Sequence, residues 1–302
     1  MSDTIPTDTN ASDPTTPAAT PKVRCLPAVE RYSSHYIRYN GPIGRTGTNQ
    51  TTHTAEVRFP GAPGLAVVKA FPFSDKGWIN EALAWTLGME LDVGVPPAAI
   101  LLAASPADLA NATEPELMLA RSQWSLAGPI VLWCASRLEI KPPQHVWPVA
   151  WERVVMSKPF GRRLAAFDAW LGNCDRIAQN APYWMTRGRL AAIDHERLAF
   201  NQDWRSGLPI HMDKSGGVMT HLMKEIRVAI NKKKIKAADA MALIADLVQL
   251  SDGHSAALAA VRASSERLVT ENFGTTAAAG LHTFLLERAS REFINERLEQ
   301  LR

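Results

Sequence analysis

Apolar and polar positions change rhythm twice along the chain, and the changes mark out its parts. The first stretch is Thr, Pro, Ala, Ser, Asp and Asn with little to bury, which predicts an unstructured tail over 1–25. Tyr36-Ile37-Arg38-Tyr39 then reads as a short strand running into a glycine-punctuated loop, Gly41 to Gly47. Thr54 to Phe59 alternates apolar and polar residues as a half-buried strand does. Pro60 to Gly64 makes a turn and Leu65 to Phe71 returns, giving an antiparallel hairpin. Trp78, Ile79, Leu83, Leu87 and Leu91 recur at helical spacing, and Gly94 with Pro96-Pro97 stops that helix. Leu117 to Ala120 and Ile130 to Ala135 read as further strands around a turn over 122–128.

Pro142-Pro143 breaks the pattern, and the rest is mainly helical. Trp151 to Trp170 has helical patterning with a break near Pro159-Phe160-Gly161. A hairpin interrupts it: Tyr183 to Met185, a turn at Thr186 to Arg189, then Leu190 to Ile193. Val218–Asn231, Ala237–Leu250, Ser255–Val269 and Thr276–Leu301 complete the helices. The expected class is α+β, a small strand-rich lobe with one helix over 26–141 and a larger helical lobe over 142–302.

Composition narrows the setting. With 302 residues and 46% hydrophobic content, the chain can bury a substantial core. A net charge of +3 gives no clear nucleic-acid signal but tolerates an anionic ligand. Cys25, Cys134 and Cys174 are widely spaced with no CxxC, which suggests neither a disulfide framework nor a zinc site. No apolar run is long enough to span a bilayer, and the N-terminus lacks the basic and apolar regions of a signal peptide. The expected location is therefore cytoplasmic.

The densest polar cluster is Leu171 to Asn180, where Asp175 and Asn180 stand as D-x-x-x-x-N. Kinases use this spacing in the catalytic loop: the Asp accepts the acceptor's hydroxyl proton and the Asn holds magnesium. A helix cap or a pair with Arg176 is the plain alternative for Asp175. Asp194 follows the apolar end of the next hairpin, in the order in which kinases place their second metal-binding Asp. Asn180 and Asp194 offer the oxygen ligands that magnesium favours.

Lys69 stands in Leu-Ala-Val-Val-Lys-Ala-Phe, on the strand face that also carries Val67 and Phe71. An ammonium among apolar neighbours needs anionic partners, here phosphates and a helix carboxylate. Glu81 is the candidate, with a solvent-facing position as the alternative. Gly44 and Gly47 belong to a G-x-x-G-x-x-G loop whose backbone N–H groups suit phosphate oxygens, or which is an ordinary turn. Asp168 reads as steadying the Asp175 loop or as a simple cap, and His195 as a structural hydrogen-bonding group.

Assembled, these residues make the chain resemble the HipA-like kinase family, atypical protein kinases distantly related to phosphatidylinositol 3/4-kinases. The resembling stretches are Val67 to Phe71, Asn80 to Gly88 with Val95-Pro96, Phe167 to Arg176, Asn180 and Ile193-Asp194-His195. The family often has His where this chain has Ile177. The resemblance implies a bilobal protein-kinase-like fold, ATP and Mg2+, and transfer to a serine or threonine hydroxyl, most simply of a protein. It implies Lys69 and Glu81 for the ATP phosphates, Asp175 as base, and Asn180 and Asp194 as metal ligands. With only a short tail before the first strand, the extra subdomain of toxin-type members is not expected. A nucleotide-binding pseudokinase and a small-molecule or lipid kinase are the competing readings. A metal-dependent hydrolase would need a second ligand cluster, and no such spacing is present.

Overall fold

In the computed structural model of the chain, residues 25–43, 50–124, 128–141, 158–173, 182–200, 231–232, 236–290 and 292–293 are described. A six-stranded sheet forms from β1 (Val29–Arg31), β2 (Tyr36–Pro42), β3 (His53–Arg58), β4 (Pro63–Pro72), β5 (Ala99–Ala104) and β6 (Ile130–Ser136). Its order is β1-β5-β6-β4-β3-β2. The β3–β4 hairpin pairs antiparallel as its alternation predicts, and β4 continues against β6 with Lys69 opposite Trp133.

Strand β4 sends its two faces into two cores. Ala66, Val68 and Ala70 join Val57, Leu102 and Leu132 on the outer side, covered by Leu117 and Ala120. Those last two residues belong to a helix, α3 (Pro115–Trp124), where the sequence suggested a strand. Pro115 opens it and Glu116, Leu117, Met118, Leu119, Ala120 and Arg121 are all good helix formers, so propensity settles an ambiguous short apolar run. The sheet half therefore has more than the one expected helix: a single turn α1 (Tyr32–His35), α2 (Gly77–Glu90) and α3. It also has a parallel edge, because β1 pairs parallel to β5.

On the inner side, Phe71, Leu101 and Trp133 pack with α2. This helix is buried almost all round, as a helix between two layers must be. The Asp75 carboxylate accepts from the Gly77 N–H at 2.6 Å at its start. Beyond α2 lie α4 (Pro159–Leu171), α5 (Ala237–Phe273) and α6 (Thr275–Arg288), whose Phe167, Trp170, Val261, Leu281 and Phe284 belong to the same core. The break expected at Pro159 is the start of α4, where proline's missing N–H costs nothing. Two expected helices are one, α5, of 37 residues. The Val218–Asn231 helix lies outside the described residues apart from its last position, and the Thr276–Leu301 helix is described as α6 only to Arg288. Among the described residues, no helix is long and apolar enough to cross a membrane.

A second sheet joins β7 (Ile140–Lys141), β8 (Tyr183–Trp184) and β9 (Arg189–Leu190). It docks on the turn after α2. Gly94 there has its backbone so close to β9 that an added Cβ would lie 2.2 Å from the Leu190 carbonyl oxygen. The Ala192 N–H donates to the Gly94 carbonyl at 2.9 Å. Asp92 binds Arg163 of α4 and Arg189 of β9 at 2.9 and 2.8 Å. The end of α2 is thereby tied to the segment that follows β9.

Candidate active site

Lys69 projects from the inner face of β4 toward α2, and Glu81 meets it one turn into that helix. Its Nζ donates to Glu81 Oε1 at 2.6 Å. It also donates to Asp194 Oδ1, and Glu196 Oε2 lies 3.8 Å away. Glu81 and Glu196 are buried and Asp194 is partly open, with 28% of its side chain exposed. Solvent therefore reaches this cluster on the Asp194 side.

The electrostatics follow from the composition of the cluster. Burial alone would lower the Lys69 pKa, but Glu81, Asp194 and Glu196 more than reverse this and hold the ammonium above the ordinary lysine range. Burial pushes the Glu196 carboxyl up to about 7, Lys69 pulls it down, and Asp194 and Glu81 add to the rise. His195 is also buried. Its Nδ1 lies 3.9 Å from Glu81 Oε2 and its ring stands edge-on to Phe167 at 5.8 Å.

Asp194 has φ +64°, a left-handed backbone that few residues other than glycine adopt. Aspartate is among the more tolerant exceptions. The turn directs its carboxylate back to Lys69 from the exit of the β9 strand.

Carboxylate oxygens of Glu81, Asp194 and Glu196 all lie within 4.8 Å of one another. They are hard oxygen donors of the kind magnesium takes, so the donor set fits such an ion. Glu196 is the member that sequence reasoning passed over. Its signal was its place two residues after Asp194 on a turning segment.

Asp168 is buried at the end of α4. Gly172 takes φ +64° there, and the Asn173 N–H returns to the Asp168 carbonyl at 3.0 Å, a Schellman-type ending. The Asn173 side-chain amide donates to Asp168 Oδ1 at 3.1 Å. Asp168 thus braces the point from which the D-x-x-x-x-N segment departs. Asp175 and Asn180, with Cys174, lie outside the described residues, as do Gly44 and Gly47.

Among solved structures, the fold is similar to the crystal structure of a Helicobacter pylori proinflammatory kinase, CtkA. The TM-score is 0.50 at 13% sequence identity, over 91% of this chain and 100% of that one. At this identity the likeness speaks for the fold, a bilobal kinase-like arrangement of a sheet-based lobe and a helical lobe. No protein-family model and no curated protein sequence matches the chain.

Proposed function

We propose that the chain is an ATP- and Mg2+-dependent phosphotransferase of the HipA-like kind, acting on a serine or threonine hydroxyl. The observation that carries the reading is the half-buried Lys69 ammonium, shared between Glu81 of the helix and Asp194 of the post-hairpin turn. A strand lysine, a helix glutamate and an aspartate beyond a hairpin are the parts kinases use around a triphosphate. The kinase-like fold supports the same reading.

In this reading Lys69 binds the α- and β-phosphates and Glu81 fixes its ammonium. Asn180 and Asp194 hold Mg2+, which when bound offsets charge on the triphosphate. The N–H groups of Gly44 and Gly47 line the phosphates. Asp175 orients the acceptor hydroxyl and takes its proton as the oxygen bonds to the γ-phosphorus. The bond from that phosphorus to the β–γ bridging oxygen breaks, and ADP leaves.

The test is transfer of label from γ-labelled ATP to protein, lipid and small-molecule acceptors, using the full chain and its Asp175→Ala and Asp194→Ala variants. The reading expects Mg2+-dependent transfer to a hydroxyl-bearing protein, lost in both variants while their circular dichroism stays unchanged. Transfer that persists in either variant removes the assignment. Nucleotide binding without transfer would make the chain a binding module instead.

A further inference from the structure

Asn80 precedes Glu81 on α2 and is fully buried. Its side-chain amide does not point along the helix. The Nδ2 donates to the backbone carbonyl of Glu196 at 2.7 Å, across to the far side of the site. That carbonyl belongs to a buried residue, so the amide is the donor that replaces water there. Adjacent positions on one helix therefore hold the same short segment twice. Glu81 reaches its side chains through Lys69 and His195, and Asn80 reaches its backbone.

The segment needs such a hold. Asp194 stands at φ +64°, a conformation that costs an L-residue free energy and persists only when its surroundings fix it. On the N-terminal side the fixing bond is Ala192 N–H to the Gly94 carbonyl at 2.9 Å. On the C-terminal side it is Asn80 to Glu196, followed by Leu198 N–H to the His195 carbonyl at 3.1 Å. Asp194 is suspended between two anchors, one at each end of α2.

We propose that Asn80 is a positioning residue, which holds the Asp194 turn so that its carboxylate faces Lys69 and the metal. The proposal rests on the phosphotransferase reading for its consequence, because a turn released at Glu196 lets Asp194 swing out of register with Lys69. Asn80 itself touches no substrate. Its removal acts through Asp194, so it weakens the affinity of the site for Mg2+ more than the attraction of Lys69 for phosphate.

Two measurements on the full chain test this, one of them independent of activity. The variants are Asn80→Ala and the near-isosteric Asn80→Leu, which keeps volume but loses the donor without adding a charge. Thr86→Val is the control, since the Thr86 hydroxyl is buried on the same helix and donates only within it, to Ala82 at 2.8 Å. Amide hydrogen exchange over 193–198, without nucleotide, is expected to speed up about tenfold in either Asn80 variant and not in Thr86→Val. The Mg2+ concentration giving half-maximal binding of a non-hydrolysable ATP analogue is expected to rise about tenfold or more, as for other residues that orient metal ligands. Metal-free analogue binding should change little. Exchange over 193–198 no faster than in Thr86→Val overturns the clasp. Faster exchange with an unchanged Mg2+ midpoint reduces Asn80 to a structural residue and overturns the positioning role. A wild-type chain that moves no phosphate would sink the phosphotransferase reading alone, while the exchange and Mg2+ results still decide Asn80.

Discussion

Lys69 Nζ lies 2.6 Å from Glu81 Oε1, joining the central strand of the sheet to the helix behind it. Only 12% of the Lys69 side chain is exposed, and its cation answers three carboxylates. Lys69→Met strands those carboxylates in a poorly solvated place. Breaking a buried pair costs about 3–5 kcal/mol, and uptake of a proton by Glu196 holds the loss near the lower figure. Urea denaturation should show this fall, and phosphoryl transfer should drop at least about 100-fold.

Asp194 separates charge from backbone strain. Asp194→Ala and Asp194→Gly both remove the carboxylate, and both are expected to abolish transfer. Glycine adopts φ +64° without the Cβ penalty, so Asp194→Gly should be the more stable of the two by about 1 kcal/mol. Thermal melts of the pair read the difference directly. Equal stabilities would show that the turn is not strained.

Gly94→Ala tests the docking of the hairpin on the end of α2. The new methyl meets a backbone carbonyl, Leu190 O, which cannot swing aside as a side chain would. Overpacking of this kind costs about 1–3 kcal/mol, and the Ala192–Gly94 hydrogen bond is lost with it. The expected signs are a lower Tm and weaker Mg2+-dependent nucleotide binding, because the Asp194 turn moves with β9.

His254 supplies an acid limb to stability. Its ring stacks on Trp170 at 4.4 Å and 5° from parallel, and its Nδ1 is buried with no hydrogen-bond partner among the described residues. Burial lowers its pKa from 6.5 to about 4. The unfolded chain therefore binds the proton more tightly. The contribution is complete above pH 6.5 and is lost as the pH falls toward 4, a change of about 3 kcal/mol in all. His254→Phe should flatten stability over this window, as measured by denaturation at a series of pH values. An unchanged slope would exclude His254 as the source.

The strand bearing Lys69 and the helix bearing Glu81 were legible because their patterns are local: alternation through Leu65 to Phe71, and helical spacing from Trp78 to Leu91. Strand β5 was not, since Ala99 to Ala104 is apolar throughout and buried on both faces, leaving no alternation to read. Helix α5 was divided at Ser251-Asp252-Gly253, where glycine suggests an end. Gly253 is instead where Leu91 packs closely, with 3.3 Å left for any Cβ. In the site, the ammonium and its Glu81 partner followed from charge and period. Asn80 and Glu196 did not, because their roles depend on a backbone turn at Asp194 that no side-chain pattern announces.

The Leu26 amide donates to Ser264 Oγ on α5 at 3.2 Å, and the Leu26 side chain is buried in the inner core. A few residues later the chain becomes β1, at the rim of the sheet. The opening segment is thus a strap that crosses from the helical lobe to the strand-built one before either has been synthesised. It cannot take its seat until α5 has emerged, so a polypeptide halted before that helix would leave the strap unbuckled and Leu26 without its Ser264 partner.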